Sequence, residues 1–439
     1  MKTINQLNAL NRRLFLKSIT LAAGAMAIPN VSPSSALGAG GVSPSNRITV
    51  GCIGVGSRGR ANLSGFLAIP EAKVLAVCDP YLDRQQKAKE LVDSKYGNKD
   101  CKTFGDFREI IGRRDIDAVI IATQDHWHAL IAVAAAKAGK HIYCEKPFGV
   151  SVRECQAIRD AVKKNKVIFQ TGTQQRSDRK FRQACELALN GYLGKIHTIQ
   201  VGAPGPNYKP KYTGPLDPQP VPEGFDWKMW LGPAPAKPYN PGRVSWPDWY
   251  LIYDYCVGFI VNWGVHHLDI AHWGCPELGT TNYEVQCQAT YRNEGFTDNV
   301  NGWSSIFTYP SGLKLIYTDN TQQKSGCKFI GDKGWVYVDR PTIQAEPELL
   351  LEVKLKDSDI HLPQSDNHAL DFIKAARNRT KPIADVEAGF IASYFGMVAD
   401  ISARLNKNLK WDVKQERFIG DDDANAMLAR PMHNGWKLS

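Results

Sequence analysis

The chain has 439 residues, 43% of them hydrophobic and 22% charged, which fits a globular protein of two or three domains and excludes a disordered one. Four of the positive charges behind its formal +10 are Lys2, Arg12, Arg13 and Lys17, in a leader without acids. Beyond the leader, Lys and Arg are interspersed with Asp and Glu, a mixed solvated surface that excludes a nucleic-acid partner.

Residues 1–38 carry Arg12-Arg13-Leu14-Phe15-Leu16-Lys17 before a short apolar stretch, the form of a twin-arginine export signal. That stretch is shorter than the ~20 residues a spanning helix needs. Ala36-Leu37-Gly38 offers a small-residue cleavage site, and the first cysteine, Cys52, falls inside a predicted strand. The mature protein is therefore expected outside the cytoplasm, in a periplasm where there is one, with no membrane anchor. A twin-arginine substrate folds before it leaves the reducing cytoplasm. The ten cysteines, none in a C-x-x-C pair, are accordingly expected to be mostly free and structural, with one late disulfide left open.

Residues 39–46 read as a linker. From 47 to 176 short apolar strands (48–53, 72–78, 118–121, 141–144, 167–170) alternate with helices (60–69, 83–95, 103–111, 129–138, 152–163). Strands that are apolar throughout belong to a parallel sheet covered on both faces, so this is read as a doubly wound α/β dinucleotide domain. From 177 to 439 the pattern changes. Helices at 179–190, 367–378 and 386–405 accompany longer alternating strands at 196–202, 282–291, 302–309, 313–319, 327–331 and 334–339. This part is read as an α+β domain with an open, mainly antiparallel sheet. An open sheet face needs cover, which predicts a homo-oligomer. Residues 203–256 are rich in Pro, Gly and aromatics; most are expected to be cover, with one or two touching ligand.

Gly54, Gly56 and Gly59 form a G-x-G-x-x-G turn between the first strand and its helix, with Ser57 and Arg58 inside it. Such a turn brings backbone N–H groups to a pyrophosphate. Asp79 ends the second strand, where a carboxylate bonds ribose hydroxyls and repels a 2′-phosphate, favouring NAD over NADP. Thr123, His126, Trp127 and His128 leave the fourth strand, and Glu145-Lys146-Pro147 leave the fifth.

With these segments and the downstream run from Asn262 through His266 and His267 to Asp269, the chain resembles the glucose–fructose oxidoreductase / inositol dehydrogenase / MocA family over almost everything after the linker. The resemblance implies NAD as cofactor. It implies that Lys146 sits beside the nicotinamide and the reacting hydroxyl, that Pro147 forms a cis peptide, and that His266 is the family histidine. Family dehydrogenases carry an Asp four residues before that histidine; here the position is Asn262, which cannot ionise. Lys146, His266 and His267 are therefore expected to be catalytic, with His266 or His267 as acid/base. With the glycine turn and Asp79, the residues Thr123, His126, Trp127, His128, Glu145, Lys146 and Gln174 are assigned to the cofactor, and Arg176, Asn262 and Asp269 to the substrate. No metal is expected, although His266, Asp269 and His272 form a conceivable set; His272 is read as a packed helix residue.

Export shapes the functional expectation. With no nicotinamide pool outside, the cofactor must be bound before export and regenerated within each turnover. Oxidation of a sugar or glycoside at a secondary hydroxyl, C3, with redox-neutral cleavage through a 3-keto intermediate, satisfies this. Passing the hydride to a second sugar also satisfies it, and a non-catalytic sugar-binding protein is the reading from another class.

Overall fold

The computed structural model describes residues 46–205 and 208–438. The leader and nearly all of the linker lie outside the described residues.

The N-terminal part is built on strands β1 (Ile48–Ile53), β2 (Ala72–Cys78), β3 (Lys102–Phe104), β4 (Ala118–Ile121), β5 (His141–Cys144) and β6 (Phe169–Thr171). They form one parallel sheet in the order β3-β2-β1-β4-β5-β6. The strand order reverses between β1 and β4, which opens the crevice in which such sheets bind ligands. Helices α1 (Ser57–Leu67), α2 (Leu82–Tyr96), α3 (Phe107–Ile111), α4 (Asp125–Lys137) and α5 (Val152–Asn165) alternate with the strands. The helix expected at 103–111 is instead the edge strand β3 followed by α3. Gly105 breaks the run, and Asp106 caps α3 by accepting a hydrogen bond from the backbone N–H of Arg108. Helix α4 starts at Asp125, four residues earlier than the sequence reading, so Asp125, His126, Trp127 and His128 occupy its first turn.

Residues 179 onward give α6 (Arg179–Leu189), β7 (Ile196–Ala203), α7 (Trp227–Leu231), α8 (Phe259–Asn262) and α9 (Gly264–Gly274). Strands β8 (Tyr283–Tyr291), β9 (Val300–Thr308), β10 (Lys314–Asp319), β11 (Gly326–Gly331), β12 (Gly334–Val338) and β13 (Ile343–Glu346) follow. Then come α10 (His368–Asn378), α11 (Val386–Leu405), β14 (Leu409–Asp412) and β15 (Arg417–Phe418). The nine-stranded sheet runs β13-β12-β11-β7-β10-β9-β8-β14-β15 and is antiparallel except between β7 and β10. Helix α9 packs on one face, touching β7 and β11, and α11 packs along β8. The other face carries exposed Gln286, Gln288 and Ile306. All ten cysteines are free and buried.

The N-terminal sheet is covered in part by the far end of the chain. Phe372 and Ile373 of α10 are fully buried in one cluster with Val50, Leu63 and Phe66. The Phe372 ring meets Phe66 and Tyr143 edge-on at 6.1 and 5.9 Å. Phe372→Ala is expected to cost about 3–5 kcal/mol of stability, the usual range for emptying a buried aromatic site. Urea unfolding of the variant checks it.

Candidate active site

Each glycine of the turn has its own reason. Gly54 has φ +80°, and a Cβ there would lie 2.7 Å from the Ala122 backbone. A Cβ on Gly59 would lie 1.9 Å from the Gly54 carbonyl oxygen. A Cβ on Gly56 would meet only the Arg84 guanidinium, at 3.5 Å. Gly54 and Gly59 thus close the turn, while Gly56 leaves it open to a ligand. Gly56 caps α1 without a side-chain hydrogen bond, so the first-turn N–H groups beginning at Ser57 remain available, and no acid stands there to repel a pyrophosphate.

Asp79 is buried and accepts hydrogen bonds from the N–H of Val55 (2.9 Å) and of Tyr81 (3.0 Å). Burial pushes its carboxyl up, against the pull of Arg84, whose guanidinium is 3.9 Å away. With Gly54, Thr123 and Trp127 it lines a crevice roofed by Met229 and Trp230 of α7. That roof is a strap reaching in from the second half of the chain. Leu82 donates to the Gly224 carbonyl (2.8 Å), Asp226 donates to the Pro80 carbonyl (2.9 Å), and Phe225 stacks on Tyr81 at 3.7 Å. Trp127 donates its indole N–H to the Trp230 carbonyl at 3.0 Å.

The ends of β5 and β6 open onto a second, larger cavity of about 550 Å³. Arg58, Glu145, Lys146, Gln174, Asn262 and His266 all line it. Glu145 is buried and accepts from Arg58 Nε (2.7 Å), Asn62 (3.0 Å) and Gln174 (3.3 Å). Burial raises its carboxyl, but Arg58 and Lys146 outweigh that and hold it below the usual range. The Lys146–Pro147 peptide is cis. Lys146 Nζ donates to Asn262 twice, to its side-chain Oδ1 at 2.8 Å and its carbonyl at 3.0 Å. Burial lowers the lysine below its ordinary range although Glu145 and Asp125 pull it up. His266 is 5% exposed, and its Nδ1 has no hydrogen-bond partner among the described residues. Burial and the nearby Lys146 charge hold it well below the ordinary histidine range, so it is neutral near pH 7.

Several expected site residues are placed elsewhere. His267 is fully buried and faces away from the cavity. Its Nδ1 lies 2.8 Å from the Gly202 carbonyl and 3.1 Å from the Gly326 N–H, and its Nε2 is 3.4 Å from Asp339. Adjacent residues on a helix point about 100° apart, and here His266 lines the cavity while His267 is turned onto the sheet. Arg176 and Asp269 are spent on each other in a buried bidentate pair at 2.8 and 2.7 Å. Asp269 is therefore no partner for His266 or His272, and no group of three or more possible metal-ligating side chains occurs among the described residues. Asp269→Asn leaves the Arg176 charge buried and unpaired, with an expected stability loss of about 3–5 kcal/mol by denaturant titration. His126 lies outside the Asp79 crevice, its Nε2 3.2 Å from the Trp230 carbonyl, and burial drives its pKa to about 4. His128 sets its two nitrogens against the Pro147 carbonyl (2.6 Å) and the Thr123 carbonyl (3.2 Å), clamping together the loops that leave β4 and β5.

Sequence reasoning missed Asp125 and Arg340. Asp125 is 2% exposed and accepts from the Asn262 amide nitrogen through both oxygens, at 3.0 and 2.9 Å. Arg340 lines the cavity with its guanidinium 4.7 Å above the Trp263 ring. Trp246 and Tyr250, from the aromatic stretch, complete that wall.

Residues 48–173 match the profile of an oxidoreductase family's NAD-binding Rossmann fold, and residues 178–438 match the C-terminal alpha/beta domain of the same family. The chain belongs to the Gfo/Idh/MocA oxidoreductase family. It is 32% identical over 157 residues to myo-inositol 2-dehydrogenase of Thermotoga maritima, covering 36% of this chain and 45% of that protein. It is 31% identical over 175 residues to glycosyl hydrolase family 109 protein 1 of a Shewanella species, covering 35% and 37%. The matched region spans less than half the length of these relatives. The crystal structure of scyllo-inositol dehydrogenase from Lactobacillus casei with bound NAD(H) and scyllo-inositol superposes with a TM-score of 0.57 at 17% identity, over 83% of this chain and 99% of that one. The open face of Gly56, the free N–H groups of α1 and the buried Asp79 fit NAD, the cofactor of this domain.

Proposed function

We propose that this protein is an exported, NAD-dependent oxidoreductase that acts on a secondary hydroxyl, C3, of a sugar or glycoside and keeps its cofactor through the whole cycle. Residues 1–38 serve as a cleaved leader, 47–176 hold the cofactor, and 177–439 shape the substrate side and pair copies through the open sheet face. The observation that carries the reading is the convergence of Lys146, Asn262 and His266 on one cavity that is also lined by Tyr208, Trp246 and Tyr250. Flat rings with polar edges suit the apolar faces and hydroxyls of a sugar.

When bound, NAD supplies the hydride acceptor. The residues supply the proton chemistry. Lys146, lowered below its ordinary range by burial, takes the hydroxyl proton, and Asn262 holds its amine in place. A ketone at C3 acidifies the proton on C2. His266, neutral and lining the cavity, is the acceptor placed to take it. Loss of that proton expels the anomeric substituent, and addition of water followed by return of the hydride leaves no net redox change. Cleavage by this route needs no pair of catalytic carboxylates. The glycosyl hydrolase relative supports it.

Purified protein incubated with a panel of glycosides and free sugars, with no NAD added, should release product while a reduced-nicotinamide absorbance band appears transiently. Transfer to a second sugar would require that second sugar for turnover. Protein that carries and takes up no nicotinamide dinucleotide would overturn both schemes and leave a binding protein.

A further inference from the structure

The nearest acceptor for the Lys146 amine is an amide, and an amide side chain can present either end. If Asn262 were turned over, its NH₂ would face the lysine, donor against donor. The structure contains the group that decides. Both oxygens of Asp125 receive the Asn262 amide nitrogen, which leaves Oδ1 to face Lys146 at 2.8 Å. A carboxylate accepts and does not donate, so the flipped amide would set oxygen against oxygen. Asp125 and Asn262 are each 2% exposed, so water cannot relieve that clash. We infer that Asp125 is a positioning residue, which locks the Asn262 amide and through it fixes the Lys146 amine at the substrate hydroxyl. The inference rests on the proposed role of Lys146.

The arrangement also sets how strongly the lysine holds its proton. A carboxylate directly on the amine would stabilise the ammonium; one set back behind an amide does so less. Glu145, Asp125 and Cys256 face Lys146 and favour its charge, while Arg58 opposes it and His266 lies alongside. His128, Lys146 and Cys256 face Asp125, with Tyr250 and Glu154 also near enough to interact with it. Asp125 is the member of this set that acts through Asn262.

The test is the titration of Lys146 itself, by competitive acetic anhydride labelling of the full chain across pH with mass spectrometric readout. The pH dependence of kcat/KM on an active sugar is measured beside it. Asp125→Asn removes the charge and lets the amide flip, so the Lys146 midpoint should fall by about one pH unit, with turnover reduced. Asn262→Asp puts a carboxylate on the amine, so the midpoint should rise by about as much. The swap Asp125→Asn with Asn262→Asp keeps one carboxylate–amide pair and should fold even where a single variant does not; its midpoint should lie above that of the unaltered protein. An unmoved midpoint in Asp125→Asn, a shift in the same direction in both single variants, or a swap that titrates like the unaltered protein overturns the positioning role. An unaltered protein that oxidises no sugar, with midpoints moving as described, overturns the proposed function and leaves the Asp125 result standing.

Discussion

Lys146→Ala should abolish turnover and leave bound NAD in place. The groups that fit the cofactor's pyrophosphate and ribose are the glycine turn and Asp79, and the crevice that Gly54 and Asp79 line is one that Lys146 does not touch. The lysine belongs to the larger cavity, where burial lowers it below its ordinary range and so favours the free amine a base needs. Loss of a general base costs about 10²–10⁴ in rate, and loss of alignment at the hydroxyl adds to it. Turnover per mole of folded protein and nicotinamide content after denaturation are measured on one preparation. Retained activity would misplace the site, and lost nicotinamide would mean that Lys146 supports the cofactor instead.

The two adjacent histidines extend the same experiment. His266→Ala should behave like Lys146→Ala, because its ring lines the same cavity. His267→Ala should act on stability. Its ring joins β7, β11 and Asp339, and removing it leaves either the Gly202 carbonyl or the Gly326 N–H, whichever Nδ1 bonds in its tautomer, short of a partner, at about 1–3 kcal/mol for an unsatisfied buried group. A His267 variant with an unchanged melting temperature but no cleavage would restore it to the chemistry.

The strand–helix alternation made the N-terminal sheet legible because a parallel strand buried on both faces is apolar throughout, as in Ala118–Ile121. The short edge strand Lys102–Phe104 was not legible. Three residues carry no period, and the helical pattern behind them absorbed them. Within the candidate site, residues at strand ends were readable, since a residue leaving a parallel strand faces the crevice. Residues on helices were readable as a group but not one by one. Arg176 and Asp269 each read as a substrate residue and are instead charged because each neutralises the other. Asp125 was hidden by a four-residue error in where α4 begins, which turned a first-turn side chain into a loop residue. An acid at a helix start is ordinary, and only the contact with Asn262, 137 positions away, gives it meaning.

The glycine turn yields the second large effect, because two of its residues separate folding from binding. Gly59→Ala places a methyl 1.9 Å from the Gly54 carbonyl, backbone against backbone, and neither can give way without moving α1 away from β1. Both the melting temperature and NAD affinity should fall, the overpacking alone costing about 1–3 kcal/mol. Gly56→Ala is different. The new methyl meets only the end of the flexible Arg84 side chain at 3.5 Å, so the fold should keep its melting temperature. The methyl occupies the open side of the turn, where a pyrophosphate must come close to the first-turn N–H groups of α1. Affinity should drop by about 10–100-fold, which is about 1.4–2.8 kcal/mol. Calorimetric titration of NAD into apo protein, beside a thermal melt, reads both quantities. Equal affinity in Gly56→Ala and the unaltered protein would mean that the pyrophosphate lies elsewhere, and the crevice beside Asp79 would lose its assignment.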